Sequence, residues 1–258
     1  MSRERGRRRA GRGGGAWDAP GRGPMVLYGR NPVREALRGR RAVRHVWATA
    51  PAAGEPWLAG TAVEVAGEEE IARRAGSEAH QGVAALADPY PYADPARLLA
   101  VPGPLLVALD QVTDPQNLGA ICRTAEAVGA AGVVVPERRS AQVTPAAAKA
   151  SAGAVEHVPI ARVRNLADFL ADAKAAGCWC YGADPGAPTP YDAPDYRGGV
   201  VLVLGAEGSG LRPRVAAACD ALVALPVLGR VGSLNVSAAA AALLYEILQR
   251  RGTLDSAP

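Results

Sequence analysis

"LPVLGRVGSLNVSAAAAALLYEIL", residues 225–248, joins two halves of different character. The unbroken alanines and leucines of the second half predict a buried helix. The first half is a glycine-bearing loop that enters the helix through two hydroxyls and an amide: Ser233, Asn235 and Ser237. A helix N-terminus needs one such side chain to cover its unpaired amide groups, not three. The surplus is available to a ligand. Asn235-Val236-Ser237 also spells a glycosylation acceptor, which we discount because no secretory signal precedes it.

Upstream of this loop the chain has a regular rhythm. Short apolar runs at 105–109, 132–136, 178–183, 200–205 and 221–226 read as strands. Helical patterns follow at 117–129, 144–151, 165–177, 211–219 and 235–251. Apolar strands alternating with helices predict an α/β domain with a parallel sheet covered on both faces. Residues 24–88 form a separate small α/β pattern. "MVLYG", "VRHVWAT", "AVEVA" and "GVAALA" read as strands, and "NPVREALRG" and "EEEIARRAG" as helices. Proline-rich residues 89–104 read as a linker to the domain spanning 105–258.

Composition narrows the class. The chain has 258 residues, 49% hydrophobic and 21% charged, enough for two modest domains with real cores. No apolar run approaches the roughly 20 residues of a membrane helix, and the arginine-rich start lacks the apolar core of a secretory signal, so we expect a cytoplasmic protein without membrane contact. Cys122, Cys178, Cys180 and Cys219 show no C-x-x-C spacing and the three histidines are scattered, so no metal site is predicted. Net charge is +4. The basic excess is concentrated in 1–23, read as a disordered tail that either contacts a polyanion such as RNA or is merely solvated.

Ligands of open parallel sheets bind beyond the carboxyl ends of the strands. Three strand-exit loops stand out there. In "DQVTDPQNLGAICRTAEA", 110–127, Asn117 is placed to cap the following helix, and Arg123 sits among small apolar residues, where it either snorkels to water or holds an anion. "GAEGSGLRP", 205–213, is neither a Walker A loop nor G-x-G-x-x-G. Its glycines allow close backbone approach, and Glu207 disfavours a nucleoside triphosphate. The third loop is 227–237.

Together, "DPQNLGAICRTAEAVG", "VLVLGAEGSGLRP" and "LPVLGRVGSLNVSAAAAALLYE" resemble the three ordered motifs of the SpoU (TrmH-type) ribose 2′-O-methyltransferases of the SPOUT superfamily, over about 105–251. "YGRNPVREAL" and "HQGVAAL" are similar to the small L30e-like substrate-binding domain of the branch that methylates a guanosine of large-subunit rRNA. The resemblance implies a deep trefoil knot in the C-terminal segment and a homodimer that shares its RNA site. It also implies S-adenosylmethionine as cofactor, contacted by Gly205, Leu225 and Leu234. Asn117 and Arg123 match the polar pair of the first motif, Glu207 the acid of the second, and Ser233 and Asn235 the polar positions of the third.

The implied reaction is attack of a ribose 2′-hydroxyl on a sulfonium-bound methyl group, with Arg123 stabilising the developing charge and pairing with a neighbouring phosphate. Asn117 would orient Arg123 or the ribose, Glu207 would fix the loop or the arginine, and Ser233 and Asn235 would shape the methyl pocket. The general base stays unassigned, because a guanidinium with a pKa above about 12 is a poor one. The alternatives are a tRNA 2′-O-methyltransferase and a non-catalytic RNA-binding protein.

Overall fold

The structure, a computed structural model, describes residues 23–252. All of the basic tail except Gly23 lies outside the described residues. The N-terminal unit comprises β1 (Met25–Tyr28), α1 (Arg30–Arg38), β2 (Val43–Ala48), α2 (Ala50–Ala53), β3 (Val63–Val65), α3 (Glu68–Ala75) and β4 (Val83–Ala87). Its sheet has the order β1-β4-β2-β3, with β4 antiparallel to both β1 and β2 and β3 parallel to β2. Strand alternation sorts the side chains of β4. Val83, Ala85 and Ala87 join a core shared with the rest of the molecule, while Ala84 packs with Trp47 and Ile71 beneath α3. Helix α3 carries Glu68–Glu70 in its first turn and Arg73 and Arg74 in its last, as the helix dipole favours.

The C-terminal unit comprises β5 (Leu105–Asp110), α5 (Pro115–Ala127), β6 (Gly132–Pro136), α6 (Pro145–Ala150), β7 (Ile160–Val163), α7 (Leu166–Ala175), β8 (Cys178–Ala183), β9 (Thr189–Pro190), β10 (Gly199–Gly205), α8 (Pro213–Ala218), β11 (Ala221–Ala224) and α9 (Val236–Arg250), α4 (Pro95–Leu99) lying just before it. The seven strands pair in the order β7-β6-β5-β10-β8-β11-β9, every pair parallel. Both faces are covered, which is why β5 is buried at every position. Leu105, Val107 and Leu109 share a core with residues of α5, α6 and α9. Leu106 and Ala108 face α4, α7 and α8. From β5 the chain builds outward to β6 and β7, then crosses to β8 on the other side. Strand order therefore reverses between β5 and β10, where such sheets bind ligands.

Residues 89–104, expected as a linker, are fastened to the body of the molecule. The Tyr90 hydroxyl donates to Val155 O (2.8 Å), the Val143 amide donates to the Tyr92 hydroxyl (3.0 Å), Ala93 bridges Ala161, and Leu98 is buried in the second core. Proline density obscured this anchoring by the side chains of Tyr90, Tyr92 and Leu98. Strands β7 and β9 also escaped the sequence reading: β7 is four residues long with an arginine inside, and β9 is two.

The two units share one continuous hydrophobic core. Arg41 of the N-terminal unit forms an ion pair with Glu156, both side chains 1% exposed, with Nε donating to Oε2 at 3.0 Å. Arg40 donates to the carbonyls of Glu156 and Val158, and Glu35 meets His157 Nε2 at 2.9 Å. Among the described residues no helix is long and apolar enough to cross a membrane.

Candidate active site at the sheet switch point

Helix α5 begins beyond β5 with Asp114 as its cap, the carboxylate accepting from Gln116 N at 2.9 Å. This corrects the expectation that Asn117 caps the helix, and it frees Asn117, which is largely buried. The loop after β10 is closed by paired backbone bonds between Ala206 and Gly210, with Gly208 and Gly210 in left-handed conformation. At Gly205 a Cβ would lie 2.2 Å from the carbonyl carbon of Gly210, so only glycine fits. The third loop ends at Asn235, whose Oδ1 accepts from Ser237 N (2.9 Å) and Ala238 N (3.4 Å) and caps α9. The Ser237 hydroxyl donates to the same oxygen.

The three loops meet in a polar cluster. Asn235 Nδ2 donates to Asn117 Oδ1 at 3.0 Å and to Glu207 Oε1, and Asn117 Nδ2 donates to Glu207 Oε1 at 3.3 Å. The surplus polarity of the opening stretch is thus partly resolved: one end of the Asn235 amide caps the helix, and the other ties the third loop to the first two.

Beside this cluster is a cavity of about 530 Å³, within the range of small-molecule sites. Gly205, Glu207, Leu225, Ser233, Leu234 and Asn235 all line it. Leu225 packs against the main core, whereas Leu234 is half exposed. Ser233 is exposed and has no hydrogen-bond partner among the described residues, so the structure brings it to the cavity but not into the cluster. Arg123 is not brought in. It lies six residues beyond Asn117 on α5, about 240° around the helix. There it is exposed and without a hydrogen-bond or ion-pair partner among the described residues.

Further polar residues at this edge were missed. Asp110 closes β5 fully buried and accepts from the Arg212 backbone N and Nε, both at 2.8 Å, locking the second loop to the first strand. Its signal was a carboxylate ending an otherwise apolar run. Asp184 lines the cavity at the exit of β8, where its carboxylate accepts from Gly186 N at 2.7 Å. The sequence signal was the Asp-Pro-Gly turn immediately after a strand.

The cavity has the features an adenosyl group needs: apolar walls from Val223, Leu225 and Leu243, and backbone exposed at Gly205. A parallel sheet with this cavity at its switch point, edged by an amide and carboxylate cluster, defines the class: an α/β enzyme with a nucleoside-sized site. The family follows from comparison with known proteins. Residues 104–245 match the SpoU rRNA methylase family and residues 26–93 the substrate-binding domain of RNA 2′-O ribose methyltransferases, so the chain belongs to the SpoU methylase family. It is 38% identical over 245 residues to the TrmH family tRNA/rRNA methyltransferase YacO of Bacillus subtilis, covering 87% of this chain and 95% of that one. It is 39% identical over 241 residues to a tRNA/rRNA methyltransferase of Synechocystis, covering 88% of this chain but 63% of that longer protein. The AdoMet-bound rRNA methyltransferase from Sinorhizobium meliloti superposes with a TM-score of 0.76 at 29% identity, covering 88% of this chain and 87% of the other.

Proposed function

We propose that this chain transfers a methyl group from S-adenosylmethionine to a ribose 2′-hydroxyl of RNA, a guanosine of large-subunit rRNA, as a cytoplasmic homodimer. The observation that carries the reading is the hydrogen-bonded meeting of Asn117, Glu207 and Asn235 at the edge of a nucleoside-sized cavity. The N-terminal match to a ribose-methyltransferase substrate-binding domain supports an RNA substrate. The AdoMet bound to the Sinorhizobium enzyme supports the cofactor, and that enzyme's description as an rRNA methyltransferase supports the choice of rRNA over tRNA.

In this reading Gly205 offers backbone to the cofactor, and Leu225 and Leu234 flank its base. The cofactor, when bound, supplies an electrophilic methyl group. The protein's task is alignment, which can lower a barrier by several kcal/mol, about 7 at the low end for well-oriented reactants. Glu207 accepts from both amides and so fixes their orientation. Asn117 and Asn235 hold the reacting ribose at the cavity edge, with Ser233 shaping the cavity beside them. Arg123 stands exposed on its own chain's surface, ready for the cavity of a second copy, where its guanidinium pairs with an RNA phosphate and offsets charge growing on the 2′-oxygen. The closing of one cavity by both the 205–211 and 225–235 loops, with α9 packed on α5, is consistent with a knotted C-terminal path.

Mapping 2′-O-methyl marks across total RNA with and without the gene tests the reading. The expected result is one guanosine mark in large-subunit rRNA that vanishes with the gene. A lost tRNA mark would overturn the substrate, and no lost ribose mark would overturn the reaction.

A further inference from the structure

The carboxyl edge of the large sheet has a second half. Because all its strands are parallel, their exits lie along one edge. β10 exits at Gly205 into the cavity. β6 exits into Glu137, Arg138 and Arg139, and β7 into Arg164. In the strand order β6 lies two places from β10, and β7 three. At about 4.8 Å per strand these are offsets of about 10 and 14 Å, a few nucleotides of RNA backbone.

Arg138, Arg139 and Arg164 are exposed, and none has a hydrogen-bond or ion-pair partner among the described residues. Nearby arginines are engaged: Arg162 stacks on the Tyr92 ring at 4.1 Å, Arg212 holds Asp110, and Arg214 donates to Asp168 at 2.8 Å. The 137–142 loop is nonetheless held in place. Glu137 N donates to Val163 O (2.9 Å), Ala141 N to Val112 O (2.8 Å), and Gln142 Nε2 to Pro136 O (3.0 Å). The bond to Val112 fastens it to the segment that leads into α5 and Asn117. Arg139 sits at φ 56, a left-handed conformation that disfavours any residue with a side chain. The loop is therefore fixed by its backbone while its guanidinium groups remain available. Glu137 is the one carboxylate within it, so the patch is net positive.

We propose that Arg138, Arg139 and Arg164 form a phosphate track for the RNA segment flanking the target ribose, so that one half of the sheet edge holds the methyl donor and the other half holds the RNA backbone. The proposal rests on the reading that the substrate is RNA. Guanidinium groups pair bidentately with phosphate, and contacts of this kind position a nucleic acid without reading its sequence.

The test uses the full chain and in-vitro-transcribed large-subunit rRNA, with filter binding across a salt series and methyl-transfer kinetics. The triple variant Arg138→Gln, Arg139→Gln, Arg164→Gln should weaken RNA binding roughly tenfold or more at low salt and flatten the slope of log K against log salt by about 2, since each phosphate contact contributes about 0.7 to 0.9. KM for RNA should rise while kcat and the Kd for S-adenosylmethionine hold. Glu137→Gln should tighten RNA binding. Arg97→Gln, set beside Arg138→Gln alone, is the control of equal charge change. Arg97 lies on α4, whose Leu98 packs against Gly132 at the start of β6, on the opposite edge. It should leave binding unchanged. An unchanged slope and KM in the triple variant, or an equal loss in Arg97→Gln, would overturn the track. Wild-type chain that binds the transcript without methylating it would sink the reaction and leave the track to the salt slope. Wild-type chain that binds no RNA would overturn both.

Discussion

Asn235 serves the fold and the site with opposite ends of one side chain. Its oxygen caps α9 and its amide nitrogen reaches Asn117 and Glu207. Asn235→Asp keeps the cap but replaces the donor with a second carboxylate facing Glu207. Thermal unfolding should show little lost stability, while methyl transfer falls at least a hundredfold. Asn235→Ala should also cost about 1 kcal/mol of stability through the lost cap. If Asn235→Asp turned over normally, the cluster would have no catalytic part. The cysteines carry no comparable role. Burial pushes the thiols of Cys122, Cys180 and Cys219 up to about 12, leaving them protonated at neutral pH. Native protein should therefore react slowly with a thiol reagent at pH 7, through the partly exposed Cys219, and release Cys122, Cys178 and Cys180 only on unfolding; a fast-reacting thiol in native protein would contradict this.

At the scale of elements, the loop after β10 depends on a position where no side chain fits. Gly205→Ala would press a methyl group against the Gly210 carbonyl and displace the turn that carries Glu207. Titration calorimetry should find the S-adenosylmethionine affinity down tenfold or more, with the chain still folded; unchanged affinity would separate this loop from the cofactor. The central elements were legible in the sequence because strands buried on both faces leave uninterrupted apolar runs; β5, β6 and β10 are such strands, and β8 reads alike although its Trp179 is exposed. The three exit loops were legible because each combines glycine with polar residues immediately after a strand. Elements that depend on tertiary context were not legible. β7 and β9 are too short to show a pattern, and the anchoring of 89–104 rests on Tyr90, Tyr92 and Leu98 finding partners far away in the chain. Helix phase was available but unused: six residues of separation already placed Arg123 and Asn117 on different faces of α5.

For the whole molecule, the continuous core and the buried Arg41–Glu156 pair make the substrate-binding unit and the catalytic sheet one packed body. Removing one partner of a buried pair strands the other charge, at a cost of about 3–5 kcal/mol. Arg41→Met should lower the melting temperature of a single shared transition in calorimetry, and Arg41→Met with Glu156→Leu should recover much of it. Two separate transitions in the wild type would show that the units fold independently. In the proposed reading, a fixed relation between the units would set where an RNA bound by the N-terminal unit meets the cavity edge. The most direct test of the central claim is transfer of tritium from methyl-labelled S-adenosylmethionine into in-vitro-transcribed large-subunit rRNA. The label should appear in alkali-resistant, 2′-O-methylated nucleotides with wild-type chain and be absent with Asn235→Asp. Label on a base, or equal incorporation by the variant, would contradict the account.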